Sequence, residues 1–148
     1  MKNFTACVEN FLDQKELHYR THEFDWGTDT IIGFELESGC KQHVHFICRD
    51  DQAPVLAVWD MIHIPDQKLA TALIHCNKDN QRRFFRFAID EDQDLQLRYD
   101  FPNGISEESF SNSISSEMFP MFLSAVKNYY EDYAQLVYSD NHEELSLA

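Results

Sequence analysis

The stretch that decides the fold is Phe84-Phe85-Arg86-Phe87-Ala88-Ile89-Asp90-Glu91-Asp92-Gln93-Asp94-Leu95-Gln96-Leu97-Arg98-Tyr99-Asp100-Phe101. Phe85, Phe87 and Ile89 alternate with Phe84, Arg86 and Ala88; after an acidic run, Leu95, Leu97, Tyr99 and Phe101 alternate with Gln96, Arg98 and Asp100. A period of two sends successive side chains to opposite sides of an extended chain, so the stretch predicts two half-buried strands joined by an acidic turn. Pro102-Asn103-Gly104 ends the hairpin.

The same period occurs upstream. From Thr30, the side chains of Ile32, Phe34 and Leu36 share one face and Ile31, Gly33, Glu35 and Glu37 the other, up to the turn at Ser38-Gly39. Val44, Phe46 and Cys48 then alternate with His43, His45, Ile47 and Arg49, and the turn Arg49-Asp50-Asp51-Gln52 leads into a third strand, Val55 to Ile64. There is room for a short extra strand at His22 to Trp26, set apart from this meander by Gly27 and Asp29.

Three segments follow the helical period instead. Phe4, Cys7, Val8, Phe11 and Leu12 recur three and four apart, with Asn3 or Thr5 as cap. After the start signal Ile64-Pro65-Asp66, Leu69, Leu73 and Cys76 form one stripe and Ala70 and Ile74 a second on the opposite side, with Asn77 as terminator. Ser106-Glu107-Glu108 opens the last helix, whose Phe110, Ile114, Met118, Met121, Phe122, Ala125, Tyr129 and Tyr133 make a stripe long enough to cover a sheet. Pro120 inside it predicts a kink near Ser116 or a split in two, because a backbone bond is lost and the ring crowds the preceding turn. The expected order is α-β-β-β-α-β-β-α: a two-layer α+β fold, its antiparallel sheet carrying helices on one face. We expect one domain over residues 1–148, with 139–148 a fraying tail.

The composition limits the partners. With 43% hydrophobic and 14% aromatic residues in 148, one core suffices without metal or disulfide. Twelve basic residues against 26 acidic give a net charge of −14, which disfavours nucleic acid and anionic membranes and either serves solubility or suits a basic partner. Cys7, Cys40, Cys48 and Cys76 form no C-x-x-C pair, so reduced thiols and a cytoplasmic location are expected. Glu9 and Asp13 interrupt what would be the apolar core of a secretory signal, and no run is long enough to span a bilayer.

Candidate chemistry is thin. His43 and His45 share a strand face near Cys40, but a zinc site needs three or four ligands, and two histidines on an open sheet face are commoner. Asp90, Asp92 and Asp94 imitate the first ligands of a calcium loop; Leu95 stands where its glycine belongs and Phe101 where its bidentate glutamate belongs. No nucleophile elbow, phosphate loop or H-E-x-x-H occurs. The reading is therefore non-catalytic, with no cofactor and no metal. Apolar residues remain to spare on the second sheet face: Ile31, Ile47, Val55, Trp59 and Phe84 are candidate partner-binding residues, unless His43, His45, Glu35 and Arg86 break them into an ordinary wet face. Ala70 and Ile74 are candidates for a homodimer interface. The rival is a small-molecule-binding domain or enzyme with His43, His45 or His63 in a cavity between sheet and helices.

The order of elements, together with Phe84 to Pro102, Ile64-Pro65 and Gly104-Ile105-Ser106-Glu107-Glu108, resembles the YbjN family, which shares its fold with type III secretion chaperones. In that family a strand ending in a Tyr-Asp-Leu-Pro-like sequence recurs; here Phe101 replaces the leucine. The resemblance covers Phe4 to about Tyr138. It implies a type III secretion chaperone-like fold, often dimeric, without enzymatic activity, that binds another polypeptide as a chaperone or regulator. Chaperones of this fold hold a partner chain as an extended wrap, and a strand added to a sheet edge would do that.

Overall fold

The computed structural model describes residues 2–82 and 84–139. Six strands, β1 (Arg20–Phe24), β2 (Gly27–Glu35), β3 (Lys41–Arg49), β4 (Val55–His63), β5 (Arg86–Ile89) and β6 (Asp94–Asp100), form one antiparallel sheet in the order β1-β2-β3-β4-β6-β5. Helices α1 (Phe4–Gln14), α2 (Leu69–Arg82), α3 (Glu107–Ser113) and α4 (Phe119–Tyr138) complete a mixed α+β architecture. The expected tail lies outside the described residues from residue 140 onward.

The decisive hairpin is present, with Phe87 opposite Leu97 and Ile89 opposite Leu95. Its acidic turn is closed by the Asp90 carboxylate, which accepts from the amides of Asp92 and Asp94 at 2.9 Å each. Those bonds turn the chain and give Asp90 a structural task.

One strand more is present than the order α-β-β-β-α-β-β-α contained. The segment allowed for at His22–Trp26 is β1, and it starts earlier, at Arg20. Gly27 does not separate it from the meander; Phe24 pairs with Gly27 across the turn Asp25-Trp26. Gly27 has φ +144°, and a Cβ there would run into the carbonyl of Cys48, so only glycine lets β1 fold back this closely against β2 and β3.

The alternation selects the core. Ile32, Val44, Phe46, Leu56, Val58, Leu95, Leu97 and Phe87 are buried on one face. Helical side chains meet them: Phe119 stacks on Phe46 at 5.9 Å, Phe122 meets Phe85 edge-on at 5.3 Å and Tyr129 meets Phe87 at 4.7 Å. Each large side chain buried this way contributes roughly 1.5–3 kcal/mol. The helices thus share one face of the sheet.

Asn3, of the two candidates, caps α1, accepting from the Ala6 amide at 3.0 Å. The Pro120 expectation holds as a split: α3 ends at Ser113, a π-helical turn spans Ile114–Met118, and Pro120 enters the first turn of α4. Widening that turn accommodates a residue that can neither donate to nor sit against the Ser116 carbonyl.

Helix α2 departs from the expected stripes. Ala72 and Cys76 are buried, whereas Leu73 is 48% exposed and joins the outer side with Ala70 and the half-buried Ile74. Nor does Asn77 end the helix, which continues to Arg82. The extra turn carries Asn80 to the edge of the sheet. No helix among the described residues is long and apolar enough to cross a membrane.

Candidate interaction surface

The helix-free face is organised by register. One row crosses all six strands: Arg20, Ile31, His45, Ala57, Arg98 and Arg86, each opposite the next. Beside it run His22, Asp29, Ile47, Val55 and Asp100. Polar contacts tie the rows together: His45 Nδ1 lies 3.0 and 3.1 Å from the Asp29 carboxylate oxygens, and Arg98 donates to Asp100 at 2.6 Å. The Arg98 guanidinium lies 5.9 Å from the Trp59 ring and His45 lies 6.2 Å from it.

The residues expected to form an apolar patch are therefore dispersed. Ile31, Val55 and Trp59 are half-buried between charged neighbours, and Ile47, between Asp29 and Val55, is only 4% exposed and presents almost no surface. Phe84 is not on this face. It precedes β5, and its ring stacks at 5.1 Å on Tyr99, a neighbour of Leu56 on the helix side. The alternation extrapolated to Phe84 fails because the strand begins only at Arg86.

The histidines of the rival reading are also on the open face, not in a cavity between sheet and helices. His43 is exposed, and His63 pairs with Asp94 at 3.1 Å. A cleft of about 920 Å³ opens at one end of the sheet, between Lys2–Thr5, Cys48–Ala53 and Asn103–Ile105, with no histidine in its lining. Among the described residues no group of three His, Cys, Asp or Glu side chains is placed to hold a metal ion. Burial pushes the Cys48 thiol up to about 11 and raises that of Cys76. Neither is a ready nucleophile.

The two sheet edges differ sharply. At β5, the Asn80 side chain imitates a neighbouring strand: its Nδ2 donates to the Phe87 carbonyl at 2.9 Å, and the Phe87 amide donates to its Oδ1 at 2.7 Å. Tyr133 secures α2 there, donating to the Asp79 carboxylate at 2.9 Å while its ring stacks on Phe87 at 5.9 Å. An amide side chain supplies the same donor and acceptor as a peptide group, so this edge is closed at Phe87.

At β1 the pattern is the reverse. The Leu36 amide donates to the Cys40 carbonyl and the Asp50 amide to the Trp26 carbonyl, so even-numbered positions of β2 bond to β3. Antiparallel ladders alternate, which directs Gly27, Asp29 and Ile31 toward β1 and their opposites Phe24, His22 and Arg20 toward β2. The backbone groups of Thr21 and Glu23 then point outward, and among the described residues nothing pairs with them. The edge is flanked by a stacked pair, Phe24 and Trp26, with centroids 4.9 Å apart; they are 50% and 39% exposed, and Arg49 lies 5.0 Å over Trp26.

Neither β1 nor Asn80 stood out in the sequence as functional. Phe24 is the sole apolar residue in Arg20–Phe24, and a strand wet on both faces shows no alternation; the Asn80 contact depends on tertiary placement. No protein-family model and no curated protein matches the chain.

Proposed function

We propose that this chain is a non-catalytic protein-binding domain, chaperone-like or regulatory, that takes an extended segment of another polypeptide onto the outer edge of β1. The observation that carries the reading is the inequality of the edges: α2 satisfies the outward groups of Phe87, while those of Thr21 and Glu23 are left unpaired. Strand addition draws affinity from main-chain bonds and specificity from alternate side chains. Kinship with the YbjN family belongs to the same proposal, supported by the order of elements and the hairpin residues. A reducing, cytoplasmic setting is supported by four free cysteines.

Homodimerisation is proposed through the outer side of α2, where Ala70, Leu73 and Ile74 remain uncovered. Sedimentation should then give twice 17.4 kDa, and Ile74→Glu should halve it; a monomeric parent chain would reject the dimer. The binding reading is tested by panning a displayed library of extended peptides on the parent chain and on Glu23→Pro. Proline at that position removes an outward N–H and keeps the bonds to β2. Peptides held by the parent and released by the variant support the reading; equal capture by both refutes it.

A further inference from the structure

Resting on strand addition at β1, the side chains of that strand specify which strand fits. We infer that the ligand is an extended segment with an acidic residue opposite Arg20 and an aromatic residue opposite Phe24, on the same face of the added strand.

The helix side of β1 is already occupied. Thr21 Oγ1 donates to the Glu9 carboxylate at 2.8 Å and lies 3.0 Å from the Thr30 hydroxyl. The open-face side is not. Arg20 is exposed and, among the described residues, has no carboxylate partner, although the chain carries 26 acidic residues. Phe24 leaves half its surface uncovered beside Trp26. Directly opposed residues in antiparallel strands interact most strongly as opposite charges or as aromatic pairs, and like charges repel. Glu23, on the other face, disfavours an acid opposite itself and suits serine, threonine or lysine.

The inferred strand differs from the basic partner that the net charge of −14 would suit. At physiological salt, fields decay over about 8 Å, so local charges decide the fit. Near β1 the open face carries Arg20 and Arg49, the latter 5.0 Å over Trp26, while the Asp29 carboxylate is engaged by His45. An acidic residue opposite Arg20 therefore meets a cation.

The test uses blocked synthetic peptides of alternating pattern: one with aspartate and phenylalanine four positions apart, made in both chain directions, and counterparts with lysine for aspartate. Fluorescence anisotropy is measured against the parent chain, Arg20→Glu and Glu23→Pro, each checked for folding by circular dichroism. The acidic peptide should bind the parent about fivefold or more tightly than its lysine counterpart, a swing of about 1 kcal/mol. Arg20→Glu should reverse that order, and Glu23→Pro should abolish binding of both. If acidic and lysine peptides bind equally and both are lost in Glu23→Pro, the edge is right and the inferred chemistry wrong. Binding that survives Glu23→Pro, or no binding of either peptide, sinks the strand-addition reading as well. A dimer of the free chain that Glu23→Pro dissociates would assign the edge to a second copy and overturn the inference.

Discussion

The two ends of this sheet solve the same problem in opposite ways. An unpaired strand edge exposes donors and acceptors that any extended chain can use. At β5 the chain closes its own edge: α2 runs past Asn77, Asn80 grips the backbone of Phe87, and Tyr129 and Tyr133 wedge the Phe87 ring. At β1, α1 reaches Thr21 through Glu9 but no helix covers the outward backbone, and exposed Arg20, His22, Glu23 and Phe24 decorate the edge. Covering an edge with a helix removes it from recognition, whereas leaving it short and charged limits non-specific pairing and keeps it usable.

The largest expected effect separates the rings of the two edges. Phe87→Ala should cost about 3–5 kcal/mol in urea unfolding because it empties a filled site. Phe24→Ala, at a half-exposed ring, should stay within about 0.5 kcal/mol. Equal losses would mean the edges are anchored alike.

Next in size is an alkaline effect from the thiol beside the β1–β2 pair. Burial pushes Cys48 from the ordinary value of 9.0 up to about 11, so the unfolded chain loses this proton first. Unfolding releases a proton between those values; stability is therefore full below about pH 9 and falls as pH rises to 11, by roughly 2–3 kcal/mol at most. Tyr133, also raised by burial, adds its own loss at higher pH. Urea midpoints measured from pH 8 to 11 should fall less steeply in Cys48→Ala; an unchanged slope would place the titrating group elsewhere.

Opening the closed edge is the third test. Asn80→Ala removes two hydrogen bonds and should cost about 1–2 kcal/mol. Sedimentation at increasing concentration should show new association, which the parent lacks at that edge.

The smallest stability effect comes with the largest loss of binding. Glu23→Pro should leave the urea midpoint within about 0.5 kcal/mol of the parent. A cooperative loss of several kcal/mol would show that the Glu23 amide supports the fold instead of facing outward.

Much of the architecture was legible because the hairpin strands have one wetter face: Phe85, Phe87, Leu95 and Leu97 alternate cleanly, and the core follows from that period. Pro120 announced its break for an equally local reason. The site was less legible. Arg20–Phe24 is an edge strand wet on both sides, so periodicity has nothing to report. Leu73 and Ile47 were assigned by periodicity, yet the packing of α2 and the place of Ile47 between Asp29 and Val55 in mid-sheet go with their exposure. Asn80 reads as an ordinary polar helix residue until β5 is placed beside it.

Amide hydrogen exchange followed by NMR tests the unequal edges most directly. The Phe87 amide, held by Asn80, should exchange slowly, at a rate that Asn80→Ala accelerates, while Thr21 and Glu23 exchange far faster than their strand neighbours Arg20 and His22. Uniform protection along β1, or fast exchange at Phe87 in the parent chain, would contradict the account.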